Sequence, residues 1–436
     1  MEPDTLHSIA HLLFQAMAEV TWKDQPLDQI ELAVQSLVSQ LANSLMQDFI
    51  LPILIRDIHQ RVEDGLLRCP TCDAKLQLHK QNQAIHPKTI FGDKIRLARH
   101  QYYCAACDSY QMVADQQLDL PPQQMTPRLA LVTMLCGASW PYAVSQAFLD
   151  FLFGVQMSAR TVENVATHAR LQVAELAPDP LDQPPGVVTA DGVLIRGREK
   201  EQWLEMKVAS FFSQVVEVSK DRKEVMDASF AASACQTWSE FVEPVTKEAE
   251  RRGLAGREEV EFVCDGASGI WSLCEMVFPY AKPRLDLYHA KRKLSRRTRQ
   301  AYDRNPRQKA HQEHLQGCLE RGQIDTAIAY LQKHLPKDEY KKTAAAKLMG
   351  YLRRNQERIP NYEQVKAEGG TVSSGLMEKA NDVVVARRLK AGIMHWTRAG
   401  ADAVIKHRVS FINQHARARS GSYELAFVKP ASNFIQ

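Results

Sequence analysis

The sequence has no apolar run long enough to cross a bilayer. The longest, from Phe49 to Ile55, is broken by Pro52, whereas a membrane-spanning helix needs about 20 apolar residues. Cysteine is also sparse, and five of the nine are scattered singly: Cys136, Cys235, Cys264, Cys274 and Cys318. This usage excludes a disulfide framework, and no secretory leader is recognisable. We therefore expect a cytoplasmic, nucleoid-associated protein without a membrane span, with 436 residues forming several domains.

Charge is segregated along the chain, although the formal net charge is only +4. Residues 1–64 carry ten acidic and three basic side chains. Residues 284–307 carry nine basic against two acidic side chains, and residues 383–420 carry eight against one. Two basic blocks indicate a polyanionic partner such as DNA, because contacts to phosphates supply most of the affinity for nucleic acid. The alternative is a solvated helix face.

Four of the nine cysteines form two pairs, Cys69-x2-Cys72 and Cys104-x2-Cys107. Two such pairs supply four thiolates in tetrahedral arrangement, which is typical of a structural zinc site. We therefore predict a zinc ribbon over residues 67–123, preceded by a helical region over residues 1–66. Three histidines compete as ligands: His79, His86 and His100. Four thiolates close the coordination shell, so this zinc is not expected to catalyse a reaction.

Residues 124–178 have a helical pattern with a short break. Residues 142–153 and 158–171 read as two helices joined by a four-residue turn that begins with Gly154, which is typical of a helix-turn-helix. The second helix would present Arg160 and Asn164 to a DNA groove. The alternative is a plain helical packing unit. A linker rich in proline and aspartate follows over residues 177–185.

From Gly186 the pattern changes to strands. The expected elements are an antiparallel meander of three strands over residues 187–195, 204–213 and 215–219, a helix over about 228–252, a strand over 260–265, a helix over 271–278 and a strand over 284–288. This order is ribonuclease-H-like, with the first and fourth strands side by side. Asp191 and Asp265 are then expected to meet at one sheet edge. The alternative for Asp265 is that it caps the next helix.

The remaining residues read as helical. Residues 295–370 form a predicted helical insertion, and a helix beginning near Leu376 carries Glu378. The catalytic domain thus comprises residues 186–294 and 371–420, and residues 421–436 form a tail. The expected fold class is α+β and multidomain, with a ribonuclease-H-like α/β domain following the ribbon and the helix-turn-helix.

The chain resembles the DDE insertion-sequence transposases of bacteria in the Mutator-like group, and most closely the Kra-type family. The resemblance covers about residues 190–400. It rests on five stretches: Ala190-Asp-Gly192 with Trp203-Leu-Glu-Met-Lys207; Cys264-Asp-Gly-Ala267 with Ile270-Trp271; Asp286-Leu-Tyr-His-Ala290; Ser373-Ser-Gly-Leu-Met-Glu-Lys-Ala-Asn381; and Arg387-Arg-Leu-Lys-Ala-Gly-Ile-Met-His-Trp-Thr397.

The resemblance implies that Asp191, Asp265 and Glu378 bind two divalent ions, Mg²⁺ or Mn²⁺. Phosphodiester cleavage and strand transfer need such a pair, and three carboxylates suit hard ions. Asp286 and His289 match a supporting acidic-x-x-His element. The basic residues near the end of the chain are assigned to transposon-end DNA: Arg387, Arg388 and Lys390. Trp396 either stacks on a displaced base or lies in the core.

The expected function is therefore that of a transposase. It would bind the terminal repeats of an insertion sequence through its amino-terminal half, cleave and join double-stranded DNA with its acidic triad, and act as a homo-oligomer on DNA. The alternative is a DNA-binding regulator derived from a transposase, with the ribbon and the helices but without cleavage. A zinc-dependent hydrolase is disfavoured because the sequence has no histidine-rich, open metal site.

Overall fold

The computed structural model describes residues 26–120, 124–168, 186–198, 202–213, 215–219, 222–225, 228–302, 306–392 and 394–419, with the single positions 11, 14 and 18. The chain divides into two compact units, residues 1–171 and residues 172–436. The fold is mixed α+β. The linker over 177–185, the end of the helix expected to reach 171, and the tail over 421–436 lie outside the described residues.

The first unit begins with a long helical stretch. Helix α1 spans Leu27–Ser44, a π-helical segment spans Leu45–Ile50, and helix α2 spans Leu51–Glu63. An 18-residue window in this stretch has a mean hydropathy of 1.2, so by length and composition the stretch is able to cross a membrane. Core helices and segments near an N-terminus meet the same criterion. The stretch contains no long unbroken apolar run, and for that reason the sequence pattern does not mark it.

A three-stranded antiparallel sheet follows, with strands β1 (Gln77–Ile85), β2 (Leu97–Cys104) and β3 (Ser109–Gln111) in that spatial order. Helix α2 packs on this sheet. Its buried face, which includes Ile58 and Val62, forms one apolar cluster with Leu97 and Tyr102 of β2. Short helix α3 (Val113–Gln117) contributes its own buried side chains to the same cluster.

Three helices complete the described part of the first unit: α4 (Pro127–Ser139), α5 (Tyr142–Phe153) and α6 (Ala159–His168). Gly154 ends α5 at φ +62°, a conformation that glycine adopts without strain. The hydroxyl of Ser158 accepts a 3.1 Å hydrogen bond from the Thr161 backbone N–H and so caps α6. The two helices expected here are present, and both pack against α4.

The second unit is built on a five-stranded sheet. Its strands are β4 (Val187–Arg196), β5 (Trp203–Phe212), β8 (Ser229–Ser233), β9 (Glu261–Cys264) and β10 (Lys282–Leu285), and their spatial order is β10-β9-β4-β5-β8. β5 is antiparallel to both of its neighbours, β4 and β8, whereas β9 pairs in parallel with β4 and with β10. The expected adjacency of the first strand and the 260–265 strand is therefore observed.

Two expectations for this region are wrong. Strand β6 (Val215–Ser219) does not join the sheet but pairs with β7 (Arg222–Val225) in a separate hairpin. The third antiparallel strand of the sheet is β8, although its residues were expected to begin a helix. That helix, α7, is shorter and spans only Val242–Arg251. Small side chains favour a helix in isolation, but β8 lies buried beside β5 and uses its backbone groups in the ladder.

The helices of the second unit surround this sheet. Helix α8 (Ser268–Val277) connects β9 to β10 in the sequence. The expected helical insertion consists of α9 (Leu287–Ala301), α10 (Pro306–Glu320), α11 (Ile324–Lys333), α12 (Glu339–Arg354) and α13 (Tyr362–Ala367). Helices α9 to α13 share one apolar core with the sheet. Helix α14 (Gly375–Asn381), a π-helical segment (Asp382–Ala386), α15 (Arg387–Leu389) and α16 (Arg398–Arg419) follow.

Candidate functional site

Two aspartates lie where the parallel ladder between the neighbouring strands β4 and β9 ends. The last paired residues of β4 and β9 are Ala190 and Cys264, and the next residues are Asp191 and Asp265. Strand β4 does not end there, because it continues beside β5 as far as Arg196. The pairing of β4 with β9 stops just before these two residues, so both carboxylates lie at the open end of the parallel ladder.

The turn after β9 fixes Asp265. Its Oδ1 accepts a 3.0 Å hydrogen bond from the Ala267 backbone N–H. Helix α8 begins only at Ser268, so Asp265 orders the turn and does not occupy the capping position itself. Gly266 has φ +88°, and a Cβ atom there would lie 2.7 Å from Leu285 Cδ1. The turn therefore requires glycine, and this requirement fixes the direction of Asp265.

Asp191 lies in a partly buried, polar position. Its Oδ1 accepts a 2.8 Å hydrogen bond from the Gly192 backbone N–H, and its Oδ2 accepts a 2.7 Å bond from Asn381 Nδ2. Burial is the largest influence on the pKa of Asp191 and raises it, and the negative charge of Asp265 acts in the same direction. The two hydrogen bonds oppose this rise. Two carboxylates that repel each other in this way suit a site for cations.

Asp286 follows β10 and is almost fully buried, with 1% of its surface exposed. It caps α9 by accepting a hydrogen bond from the His289 backbone N–H, and it accepts a 2.7 Å bond from the Ser374 hydroxyl and another from the Ser374 backbone N–H. Asp286 thus ties the end of β10 to the loop that leads into α14.

His289 lies in the first turn of α9, and its Nδ1 is 3.3 Å from Asp286 Oδ1. Burial alone would raise the pKa of Asp286, but the hydrogen bonds from His289 and Ser374 outweigh it and hold that pKa at about 2. The hydrogen bond to Asp286 raises the pKa of His289. His289 also interacts electrostatically with Asp191 and Asp265, so the imidazole lies beside the acidic edge.

Glu378 is not drawn into this cluster. Met377 and Asn381, one helical turn apart on α14, face the sheet: Met377 is buried against Thr189, and Asn381 contacts Asp191. Glu378 lies about 100° round the helix from Met377 but only about 60° from Asn381, and it is exposed. Its carboxylate has no hydrogen bond or ion pair within the described part of the chain. The arrangement therefore gathers two of the three expected carboxylates.

Four of the six residues expected to contact DNA are exposed. Arg160 and Asn164 are exposed on α6, and Arg160 is paired with Glu163 at 2.9 Å. Arg387 and Lys390 are also exposed, and Arg387 lies 3.1 Å from Asp382.

Arg388 and Trp396 differ from the expectation because both are buried. Arg388 has 0% exposure and its guanidinium lies 4.8 Å from the centroid of the Trp396 ring. Trp396 is 5% exposed and donates its indole N–H to the Leu389 carbonyl. A charged residue beside an indole forms part of the packing here, so the core alternative holds for Trp396, and Arg388 is not available to a DNA phosphate.

The four paired cysteines converge in the first unit. Cys69 and Cys72 precede β1, Cys104 ends β2 and Cys107 lies in the turn before β3. Their Sγ atoms all lie within 4.8 Å of one another, with 3.4 Å between Cys72 and Cys104 and 3.6 Å between Cys69 and Cys107. Sulfurs around a tetrahedral zinc are about 3.8 Å apart, given Zn–S distances of about 2.3 Å. The cluster fits one structural zinc.

No histidine joins the cysteines. In the described ranges, the four thiols are the one group of three or more potential metal ligands that is drawn together so closely. The backbone hydrogen bond at Thr71 is the largest of the influences that lower the pKa of Cys69 to about 6. This favours the thiolate form of Cys69, whereas the pKa values of Cys72 and Cys107 are raised, so deprotonation of those two thiols would accompany metal binding.

Two residues of the acidic site had no assigned role from the sequence, Ser374 and Asn381. Asn381 is three residues after Glu378, so helical spacing alone places it near the same face. Ser374 lies in a loop, and no local pattern marks its contact with Asp286, which is 88 residues away in the sequence.

Comparison with protein-family models and with curated proteins finds no match. Among solved structures, a chain of the cryoEM structure of the simian T-cell lymphotropic virus intasome in complex with PP2A regulatory subunit B56 gamma is similar at 12% sequence identity. The similarity covers 47% of this chain and 66% of that chain, just under two thirds of its length, with a TM-score of 0.16. At that TM-score the similarity carries no argument about fold or function.

Proposed function

We propose that the chain is a DDE-type transposase with a ribonuclease-H-like catalytic domain, which cleaves DNA strands at the ends of an insertion sequence and joins them to a target. One observation carries the proposal: Asp191 and Asp265 directly follow the last paired residues of adjacent parallel strands, and their charges interact. The strand order β10-β9-β4-β5-β8, with three antiparallel strands and then two parallel ones, supports the fold assignment.

The atoms at the acidic edge fit hard divalent ions such as Mg²⁺ or Mn²⁺. Asp191 and Asp265 offer carboxylate oxygens, and the Oδ1 atom of Asn381 is buried without a hydrogen-bond partner beside Asp191. Oxygen donors without thiolates favour these ions over zinc. Glu378 would complete the ligand set by a turn of its side chain toward the edge, because a bound cation removes the repulsion between the carboxylates.

A pair of divalent ions would supply activation of the attacking water or 3′-hydroxyl and stabilisation of the leaving oxygen. The protein residues do the rest. Asp191 and Asp265 fix the position of the reaction, and Asn381 orients Asp191 through its 2.7 Å hydrogen bond. Asp286 raises the pKa of His289 beside the edge, where a protonated imidazole would offer positive charge to a scissile phosphate.

The first unit would bind the terminal repeats. A zinc-stabilised ribbon and the exposed face of α6, with Arg160 and Asn164, form a surface of the kind that contacts a DNA groove. Arg387 and Lys390 remain available to the transposon end near α14. The partner is thus double-stranded DNA. An insertion sequence has two ends, and one reaction site at each end requires a homo-oligomer on the DNA. The place of action is the nucleoid.

A second candidate is a DNA-binding regulator without cleavage. The outward position of Glu378 favours it, because two carboxylates alone leave the ligand set one acid short. In that case the first unit binds DNA, and the acidic edge only holds the loop before α14.

The two candidates separate in one experiment. Labelled duplexes carrying the ends of the element that encodes the chain are incubated with protein and Mg²⁺ or Mn²⁺, with Asp265→Ala as the inactive counterpart. The transposase predicts nicking at the ends by the wild type and equal binding without nicking by the variant. Binding of the ends by both proteins, without cleavage by either, selects the regulator.

A further inference from the structure

Helix α9 begins at the acidic edge and is strongly basic. Asp286 caps it, His289 lies in its first turn, and its sequence contains six lysines or arginines and no acidic residue. A helix that starts beside three carboxylates and carries this much positive charge places cations next to the site where a DNA strand would react.

The basic residues of α9 do not all face the same way. Leu287, Ala290, Leu294, Thr298 and Ala301 are buried and define the inward face. At 100° per residue, His289, Arg292, Arg296 and Arg299 lie on the opposite face, with spacings of three, four and three residues. All three arginines are exposed. We call these three arginines together with His289 the α9 row.

The arginines of the α9 row have no carboxylate partner within the described residues, whereas Lys291 of the same helix has one. Arg299 donates to the Ser295 carbonyl at 3.3 Å. Lys291 is paired with Glu320, Lys293 lies 4.4 Å from the centroid of the Tyr351 ring, and Arg297 donates to Gln300 at 3.0 Å. Like charges four residues apart, as in Arg292 and Arg296, destabilise a helix. The repulsion within the α9 row destabilises the helix in the protein alone, and an anion lying along the row would offset this repulsion.

The length of the row matches a nucleic-acid backbone. From His289 to Arg299 the helix rises about 15 Å at 1.5 Å per residue, and one strand of duplex DNA carries a phosphate about every 3.4 Å along its axis. The row therefore spans about four phosphates. Its position also places positive charge beside the acidic edge, where it reduces the repulsion between the carboxylates and DNA.

We propose that the α9 row is the track along which the phosphate backbone of the DNA lies as it enters the acidic edge, with its His289 end at the reaction site. The proposal rests on the proposed function for the identity of that site. It adds a DNA-binding surface that lies outside the helix-turn-helix and outside Arg387 and Lys390.

The test is DNA binding as a function of salt. The row variant carries Arg292→Gln, Arg296→Gln and Arg299→Gln in the full chain. A matched control removes the same charge from exposed lysines elsewhere in the helical insertion, with Lys309→Gln, Lys333→Gln and Lys337→Gln. Fluorescence anisotropy of a labelled duplex gives the affinity at several salt concentrations, and circular dichroism confirms that both variants are folded.

The slope of log affinity against log salt falls by about 0.9 for each phosphate that the protein no longer neutralises. We expect a slope smaller by about 2 to 3 and an affinity at least tenfold weaker for the row variant, with the control close to wild type. A row variant with the wild-type slope, or an equal loss in the control, overturns the proposal and leaves the proposed function intact. If the row variant has the smaller slope but the wild type never cleaves DNA, the α9 row still binds DNA and the transposase proposal is wrong.

Discussion

The thiol site of the first unit is assembled in the protein alone, whereas the acidic site of the second unit is only partly assembled. Four Sγ atoms lie within 4.8 Å of one another, whereas Glu378 is exposed and no hydrogen bond within the described residues ties it to Asp191 or Asp265. The difference follows from charge and from local structure. The pKa values of Cys72 and Cys107 are raised, which limits the negative charge among the four sulfurs, while carboxylates repel until a cation joins them. The first site is therefore suited to stabilise a fold, and we propose that the second binds ions during a reaction.

Loss of zinc should have the largest effect and should be confined to the first unit. Cys72→Ser removes an exposed ligand without opening a cavity. Zinc ligation contributes about 10–16 kcal/mol to small zinc domains, so we expect zinc content to fall from one ion to none. The ribbon and α2 should then lose protection from hydrogen exchange, while the second unit keeps it.

Cys235→Ser is the matched control, because Cys235 is a free cysteine outside the cluster. It should retain one zinc and wild-type exchange. Retention of zinc by Cys72→Ser would break the comparison, since the thiol site would not then depend on all four ligands.

Asp286→Asn should have the next largest effect. Asp286 is buried and accepts hydrogen bonds from His289 and Ser374, so its replacement leaves these donors poorly matched and His289 without its counter-charge. We expect the free energy of unfolding to fall by about 3 kcal/mol. Urea unfolding followed by tryptophan fluorescence reports on it, because four of the six tryptophans lie in the second unit.

Asp338→Asn is the control for that variant. Asp338 caps α12 through a 2.9 Å hydrogen bond from the Lys341 backbone N–H, but it is exposed. Its replacement should cost about 1 kcal/mol or less. Equal losses in the two variants would mean that Asp286 is merely a helix cap.

The stabilisation from Asp286 should depend on pH. Its pKa is about 2 in the folded protein against a usual 3.8, so the ionised form stabilises the fold above about pH 4 and this contribution of about 2 kcal/mol is lost as pH falls toward 2. The pKa of His289 is raised from 6.5, so its contribution is present below pH 6.5 and is lost at higher pH. The difference between wild type and Asp286→Asn should therefore be largest near pH 4–6. A pH-independent difference would contradict the ion pair.

The smallest effects should distinguish the residues of α14. We expect Glu378→Gln and Asn381→Ala each to weaken Mn²⁺ binding about tenfold or more, because the first removes a ligand and the second releases Asp191. Lys379→Gln, an exposed neighbour, should bind as the wild type does. Electron paramagnetic resonance of free Mn²⁺ measures this binding. If Glu378→Gln binds Mn²⁺ as tightly as the wild type does, Glu378 is not a ligand of the bound ion.

Local patterns in the sequence were enough for the elements that present the two aspartates. Apolar runs before Asp191 and Asp265 predicted two strands, and the glycine after Asp265 predicted the turn that follows β9. Gly192 marks no turn, because β4 continues through it. The pairing of the cysteines predicted their cluster, because spacing within a turn is also local. The strands and the turn need no knowledge of distant contacts, whereas the cysteine cluster joins two local pairs through the shared chemistry of a zinc site.

Distant contacts explain what the sequence did not reveal. Strand β8 is held by α16, where Asp402 accepts a 2.7 Å bond from Ser233 and Asn413 accepts a 2.9 Å bond from the Phe230 backbone N–H, across more than 160 residues. Arg388 looked like a surface cation, but its place beside Trp396 is created by the fold. That Asn381 and not Glu378 contacts Asp191 depends on how α14 packs on β4, which helical spacing does not specify.

The most direct test of the central claim exchanges one oxygen ligand for sulfur. Asp265→Cys is assayed for cleavage and joining of DNA ends in Mg²⁺ and in Mn²⁺, beside the wild type. Because thiolates bind softer ions better than Mg²⁺, the account predicts that the variant is inactive in Mg²⁺ and regains at least tenfold activity in Mn²⁺. Activity of Asp265→Cys in Mg²⁺ equal to that of the wild type would contradict it, since Asp265 would not then hold a reacting ion.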